Sequence, residues 1–130
     1  MLKAWMMGCS LSLLVASTAA AQGDPAAGEK VFAKCKACHV VNAATNRVGP
    51  SLQGVIGRKA GAVEGFKYSD AMTAKGEEGL VWNDETISAY LEDPKGYIPK
   101  NKMAFPGLKK EEDRANVIAY LHQAGGGATN

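Results

Sequence analysis

The stretch Cys35-Lys36-Ala37-Cys38-His39 constrains this chain more than any other, because two thiols and an imidazole stand within five residues. Thiols about one helical turn apart can add to the two vinyl groups along one side of a porphyrin. The adjacent imidazole then projects beneath the ring toward the iron, so C-x-x-C-H reads as covalent c-type haem attachment. A thioredoxin-like pair would want a strand before it and has no need of the histidine. A zinc centre would have only Cys35, Cys38, His39 and the distant His122, and adjacent Cys38 and His39 suit a tetrahedron poorly. A disulfide between 35 and 38 would close a loop too small to add much stability.

A length of 130 residues bounds the chain to one small domain. Residues 1 to 21 read as a secretory signal peptide: Lys3 gives a short positive start, Ala4 to Val15 is mostly apolar, and Ala19-Ala20-Ala21 offers a small-residue cleavage site. The rival is an uncleaved anchor, since Ala4 to Ala21 carries no charge over 18 residues. Cleavage after Ala21 leaves residues 22 to 130 as the domain and places it in the periplasm. The mature composition is lean. Of its 109 residues 16 are Ala, while Leu, Ile, Val and Phe together number 20, about 18%, near the level at which disorder is suspected. A near-zero net charge argues against disorder, so something other than side chains must complete the core.

The pattern along the mature chain is helical. Asp24-Pro25 starts a helix over about 25 to 37, with Gly28, Val31, Phe32 and Cys35 at spacings of three and four. Residues 40 to 68 are irregular and glycine-rich. Ser69 to Lys75 predicts a short helix stopped by Gly76; Asn83-Asp84-Glu85 opens a third, with Ile87, Tyr90 and Leu91 inward and Pro94 after it. Lys95 to Leu108 is again irregular. The last helix runs over about 110 to 124, with Glu111, Glu112 and Asp113 in its first turn and Val117, Ile118 and Leu121 as its stripe. Mobility is expected from Gly125 onward. The fold expected is all-α, about four helices and no strands. Two long loops count against a compact fold unless both wrap one large apolar cofactor.

Covalent attachment leaves the other face of the iron to be ligated. Met72, Met103 and His122 are the mature chain's ordinary candidates. Met72 lies in a short apolar helix where core filling is the expected role, and His122 suits a surface helix end. Met103 sits on the long loop that otherwise lacks a purpose. His/Met ligation fills both axial positions and favours electron transfer over dioxygen chemistry.

In order along the sequence stand Gly28 and Phe32, Cys35-x-x-Cys38-His39, Gly49-Pro50, Gly57-Arg58, Gly65-Phe66-Lys67-Tyr68, Trp82, Tyr90-Leu91, Tyr97-Ile98-Pro99, Lys102-Met103-Ala104-Phe105 and Ala119-Tyr120-Leu121. This set resembles class I c-type cytochromes, the bacterial cytochrome c2 type above all, over Gly28 to Leu121. The resemblance implies a soluble monohaem electron carrier, not an enzyme, working from a bc1-type donor to a photosynthetic reaction centre or terminal oxidase. It also implies that Pro50 accepts the His39 ring proton, that Arg58, Tyr68 and Trp82 hold a haem propionate, and that Tyr90 and Asn101 are polar groups near the Met ligand. Gly28, Phe32, Tyr120 and Leu121 would join the first and last helices. Three positions depart from the pattern: Met72 stands where relatives usually have Asn, Lys100 where Gly is usual, and Asn101 where Thr is usual. The alternatives are a peroxidase-like or gas-binding haem protein with a labile sixth ligand, and a membrane-tethered carrier.

The 15 basic and 13 acidic side chains are nearly balanced. Lys34 and Lys36 flank the attachment site, and Lys95, Lys100, Lys102, Lys109 and Lys110 surround the Met103 loop. Lysines around a haem edge would steer a monomer to acidic docking sites on membrane redox complexes through a small, salt-sensitive interface, a peripheral encounter only. So modest a charge on an exported chain argues against nucleic acid.

Overall fold

The computed structural model describes residues 23–126. The signal-peptide reading and the tail from Gly127 lie outside them. Among the described residues five helices follow in order: α1 (Pro25–Phe32), α2 (Asp70–Glu77), α3 (Asp84–Glu92), α4 (Pro94–Tyr97) and α5 (Glu111–Gly125).

Four of the five helices start where a side chain accepts from an orphan amide. Asp24 accepts from Ala26 N at 3.0 Å with Pro25 behind it. Ser69 Oγ accepts from Met72 N, and Asn83 and Thr86 form a reciprocal capping box. For α5 no side chain caps the start; Glu111, Glu112 and Asp113 oppose the positive end of the helix dipole instead.

Four expectations need correction. The first helix ends at Phe32 rather than 37, and mixed turns follow, with Lys34 N on Val31 O, Cys35 N on Phe32 O and Lys36 N also on Phe32 O. Gly76 lies inside α2 instead of stopping it, because a Cβ there would run into the Ala60 carbonyl. The stretch after Pro94 contains a one-turn helix, headed by Asp93, whose carboxylate accepts from Gly96 N at 3.1 Å. Gly125 is buried in the last turn of α5, and its carbonyl accepts from Gly54 N at 2.9 Å, so order extends past the expected point of fraying. The nearest approach to a sheet among the described residues is an isolated antiparallel bridge between Lys59 and Val81, with Gly57 N and Trp82 N bonded to Trp82 O and Arg58 O alongside.

Helices α1 and α5 cross at a point where Gly28 leaves no side chain in the way of the Asn116 carbonyl, and the Phe32 and Tyr120 rings meet 5.3 Å apart. Among the described residues, Phe32, Ile98, Val117 and Pro94 are the largest fully buried side chains. Part of the core, Phe32, Val55, Trp82, Ile87, Tyr90, Val117 and Leu121, lines a cavity.

Candidate functional site

The cavity measures about 290 Å³, many times the roughly 30 Å³ that one water occupies in the liquid. Its wall is predominantly apolar, and both long loops contribute to it. The turns after α1 bring Cys35, Cys38 and His39 to the wall, with His39 N bonded to Cys35 O at 2.9 Å. Gly49 has no Cβ, and one there would strike the His39 ring; the backbone therefore closes directly against the imidazole. His39 Nδ1 lies 2.8 Å from the Pro50 carbonyl oxygen. A carbonyl only accepts, so Nδ1 carries the proton and Nε2 keeps its lone pair for a metal. Burial pulls the imidazole below its ordinary pKa, with the Pro50 bond opposing and the Arg58 charge adding to the fall. The neutral form is the ligating one. Burial, reinforced by the neighbouring Cys38, pushes the Cys35 thiol up to about 11.

The loop after α4 brings Met103 to the same cavity. Tyr90, on α3, donates its hydroxyl to Met103 Sδ at 4.0 Å. Asn101 is buried and spends its whole amide on backbone: Nδ2 donates to the Pro94 and Ile98 carbonyls, both at 2.8 Å, and Oδ1 accepts from Met103 N at 2.8 Å. Neither amide hydrogen is left for the sulfur, so Asn101 acts on Met103 through the loop's backbone. Met72 lines the cavity as well, which adds a wall position to its core-filling role. His122 faces away, its Nε2 2.6 Å from Asp84 Oδ1 on the surface.

Arg58, Tyr68 and Trp82 share a further part of the wall. Arg58 Nη1 donates to Gln53 O at 3.3 Å, while its buried Nε has no partner. An orphaned guanidinium N–H inside a cavity is the arrangement a carboxylate would complete. The Tyr68 hydroxyl accepts from Val63 N at 3.0 Å and keeps its own hydrogen to donate. Two thiols, an imidazole with a fixed tautomer, a thioether and an unpaired guanidinium N–H around an apolar cavity fit a haem and its propionates.

The lysines named from the sequence fall into two groups. Lys34 and Lys102 line the cavity. Lys36, Lys95, Lys100, Lys109 and Lys110 are exposed. Lys102 Nζ also donates to Lys67 O at 3.4 Å, and Lys109 Nζ to Glu92 O at 2.7 Å. Sequence reasoning passed over Val48, which borders the cavity with 77% of its surface exposed. No periodic pattern marks it; only its place before Gly49-Pro50 could have done so.

The sequence model of the family described as Cytochrome c matches residues 25–125. Cytochrome c2 of Rhodoblastus acidophilus is 53% identical over 102 residues, covering 78% of this chain and 92% of that protein. Cytochrome c-554 of Methylosinus trichosporium is 49% identical over 113 residues, covering 86% and 83%. Among solved structures, cytochrome c2 from Rhodospirillum centenum superposes with a TM-score of 0.74 at 46% identity, over 78% of this chain and 98% of that one.

Proposed function

Because the chain belongs to the cytochrome c family, we propose that it carries single electrons between membrane redox complexes in the periplasm, from a bc1-type donor to a photosynthetic reaction centre or terminal oxidase. The observation that carries this reading is the meeting of Cys35, Cys38 and His39 with Met103 on one apolar cavity. The family's cofactor is one covalently bound haem c, whose iron takes up and gives up one electron.

Cys35 and Cys38 would hold the porphyrin through thioethers. His39 would ligate the iron through Nε2, kept in that tautomer by Pro50. Met103 would supply the second axial ligand, its sulfur oriented by the Tyr90 hydroxyl and its backbone by Asn101. Arg58 Nε, with Tyr68 and Trp82, would receive a propionate. The apolar wall would keep water from the iron, so a charge change there would reorganise little solvent. With His39 and Met103 both holding the iron, no open site would remain for a peroxidase or gas-binding reaction.

The ferric protein is expected to show the weak near-infrared charge-transfer band of Met–iron ligation, lost in Met103→Ala and kept in Met72→Leu. Survival of the band in Met103→Ala would overturn the ligand assignment. Haem retained through acid–acetone extraction tests the thioethers. Docking through Lys34, Lys36, Lys100, Lys102, Lys109 and Lys110 predicts transfer rates that fall with ionic strength and in Lys102→Glu; rates indifferent to both would remove that surface. Removal of residues 1 to 21 on export is tested by the N-terminal sequence of protein recovered from periplasm.

A further inference from the structure

Helix α5 buries one charged side chain. Arg114 stands on the same stripe as Val117, Ile118 and Leu121, three, four and seven residues before them, and is 8% exposed. No carboxylate pairs with it among the described residues. Its Nε donates to Ser88 Oγ on α3 at 3.0 Å, and its Nη1 donates to the carbonyls of Leu108 and Lys109 at 2.8 and 3.0 Å. A guanidinium is expensive to desolvate, and leucine or methionine would fill the stripe without that demand. The contacts give the arginine a different purpose.

Ser88 lies two residues before Tyr90 on α3, the helix from which Tyr90 reaches Met103 Sδ. Leu108 and Lys109 end the loop that carries Met103. The same limb is stitched to α3 by Leu108 N on Leu91 O at 2.6 Å, and Gly107, at φ +110°, lets it approach the Glu92 carbonyl. Asn101 secures the incoming limb, so Met103 hangs between two clamped ends. Arg114 reaches from α5 to both the outgoing clamp and the helix behind it. We propose that Arg114 is a positioning residue for the axial methionine, fixing the outgoing limb of the Met103 loop against α3. The proposal rests on the haem reading above.

Added imidazole competes with Met103 for ferric iron, and its affinity reports how readily the loop gives up the sulfur. Arg114→Met keeps the bulk and removes three hydrogen bonds; imidazole is expected to bind about tenfold more tightly than to the parent. Ile118→Ala, on the same helix, 6% exposed and off the cavity wall, lowers global stability without removing a bond to the loop. It is expected to change imidazole affinity less than about twofold. Ser88→Ala removes one of the three bonds and should move affinity in the same direction by about threefold. If Arg114→Met yields no holoprotein, Ser88→Ala against Ile118→Ala decides alone. Equal shifts in the arginine or serine variant and the isoleucine variant, or no shift in the former, would overturn the role. A parent lacking the Met–iron band would overturn the haem ligation as well, which separates the two failures.

Discussion

Asn101 offers a graded test of how the Met103 loop is held. Its side chain makes three hydrogen bonds, all at 2.8 Å, to Pro94 O, Ile98 O and Met103 N, at a site only 5% exposed. Each contributes about 1 kcal/mol net, so Asn101→Ala should destabilise the folded holoprotein by about 3 kcal/mol, roughly a hundredfold in the folding equilibrium. Threonine can replace one donor and the acceptor with a single hydroxyl. Asn101→Thr should therefore lose one bond, about 1 kcal/mol. Guanidinium unfolding followed by far-ultraviolet circular dichroism measures the global term, and the near-infrared band in the same samples measures Met103 ligation. In Asn101→Ala the band should vanish at lower denaturant than the helices do, because the lost bonds all lie between α4 and Met103. An alanine variant within about 1 kcal/mol of the parent, or threonine as damaging as alanine, would refute the bond accounting.

Lys100 holds φ at +66°, a left-handed conformation that costs a non-glycine residue about 1–2 kcal/mol. Lys100→Gly should recover part of that against the extra freedom of unfolded glycine, raising the thermal midpoint by a few degrees; a lower midpoint would contradict the strain. Burial pushes Tyr90 up to about 12 from an ordinary value of 10.0. The folded protein then keeps a proton that the unfolded chain releases, so this contribution is complete below pH 10 and is lost as pH rises through 12. Denaturation midpoints measured across that interval should fall less steeply in Tyr90→Phe than in the parent. Without haem, the cavity of about 290 Å³ has nothing to pack its wall against, and the apoprotein should show largely coil-like circular dichroism; cooperative melting of a compact apoprotein would contradict this.

The sequence made some features legible because they rest on local chemistry. Asp24-Pro25, Ser69 and Asn83 cap helices wherever they occur, and C-x-x-C-H carries its spacing with it. The paucity of large apolar residues corresponds to a core part of which lines a cavity. Features that depend on a distant partner were read less well. Gly76 and Gly125 look like helix stops until the Ala60 carbonyl is seen to press on the first and Gly54 N to bond the carbonyl of the second, both far away in sequence. Arg114 had a local signal, its place on the stripe of Val117, Ile118 and Leu121, but its partners on α3 and the Met103 loop exist only in three dimensions. Asn101 was read as a polar neighbour of the sulfur, and only its bonds show that it works through backbone.

The crossing of α1 and α5 also bears on the order of events during folding. Asp24 N is bonded to Asn116 Oδ1, 92 positions later. In the exported chain proposed above, the first helix therefore has no helix to pack on until almost the whole domain has crossed the membrane, and contacts of such long range form late. Cys35, Cys38 and His39 emerge early in that interval, on a chain that cannot yet close over them. The attachment motif is presented to solvent before the pocket that will bury it exists, and α5 arrives as the closing element.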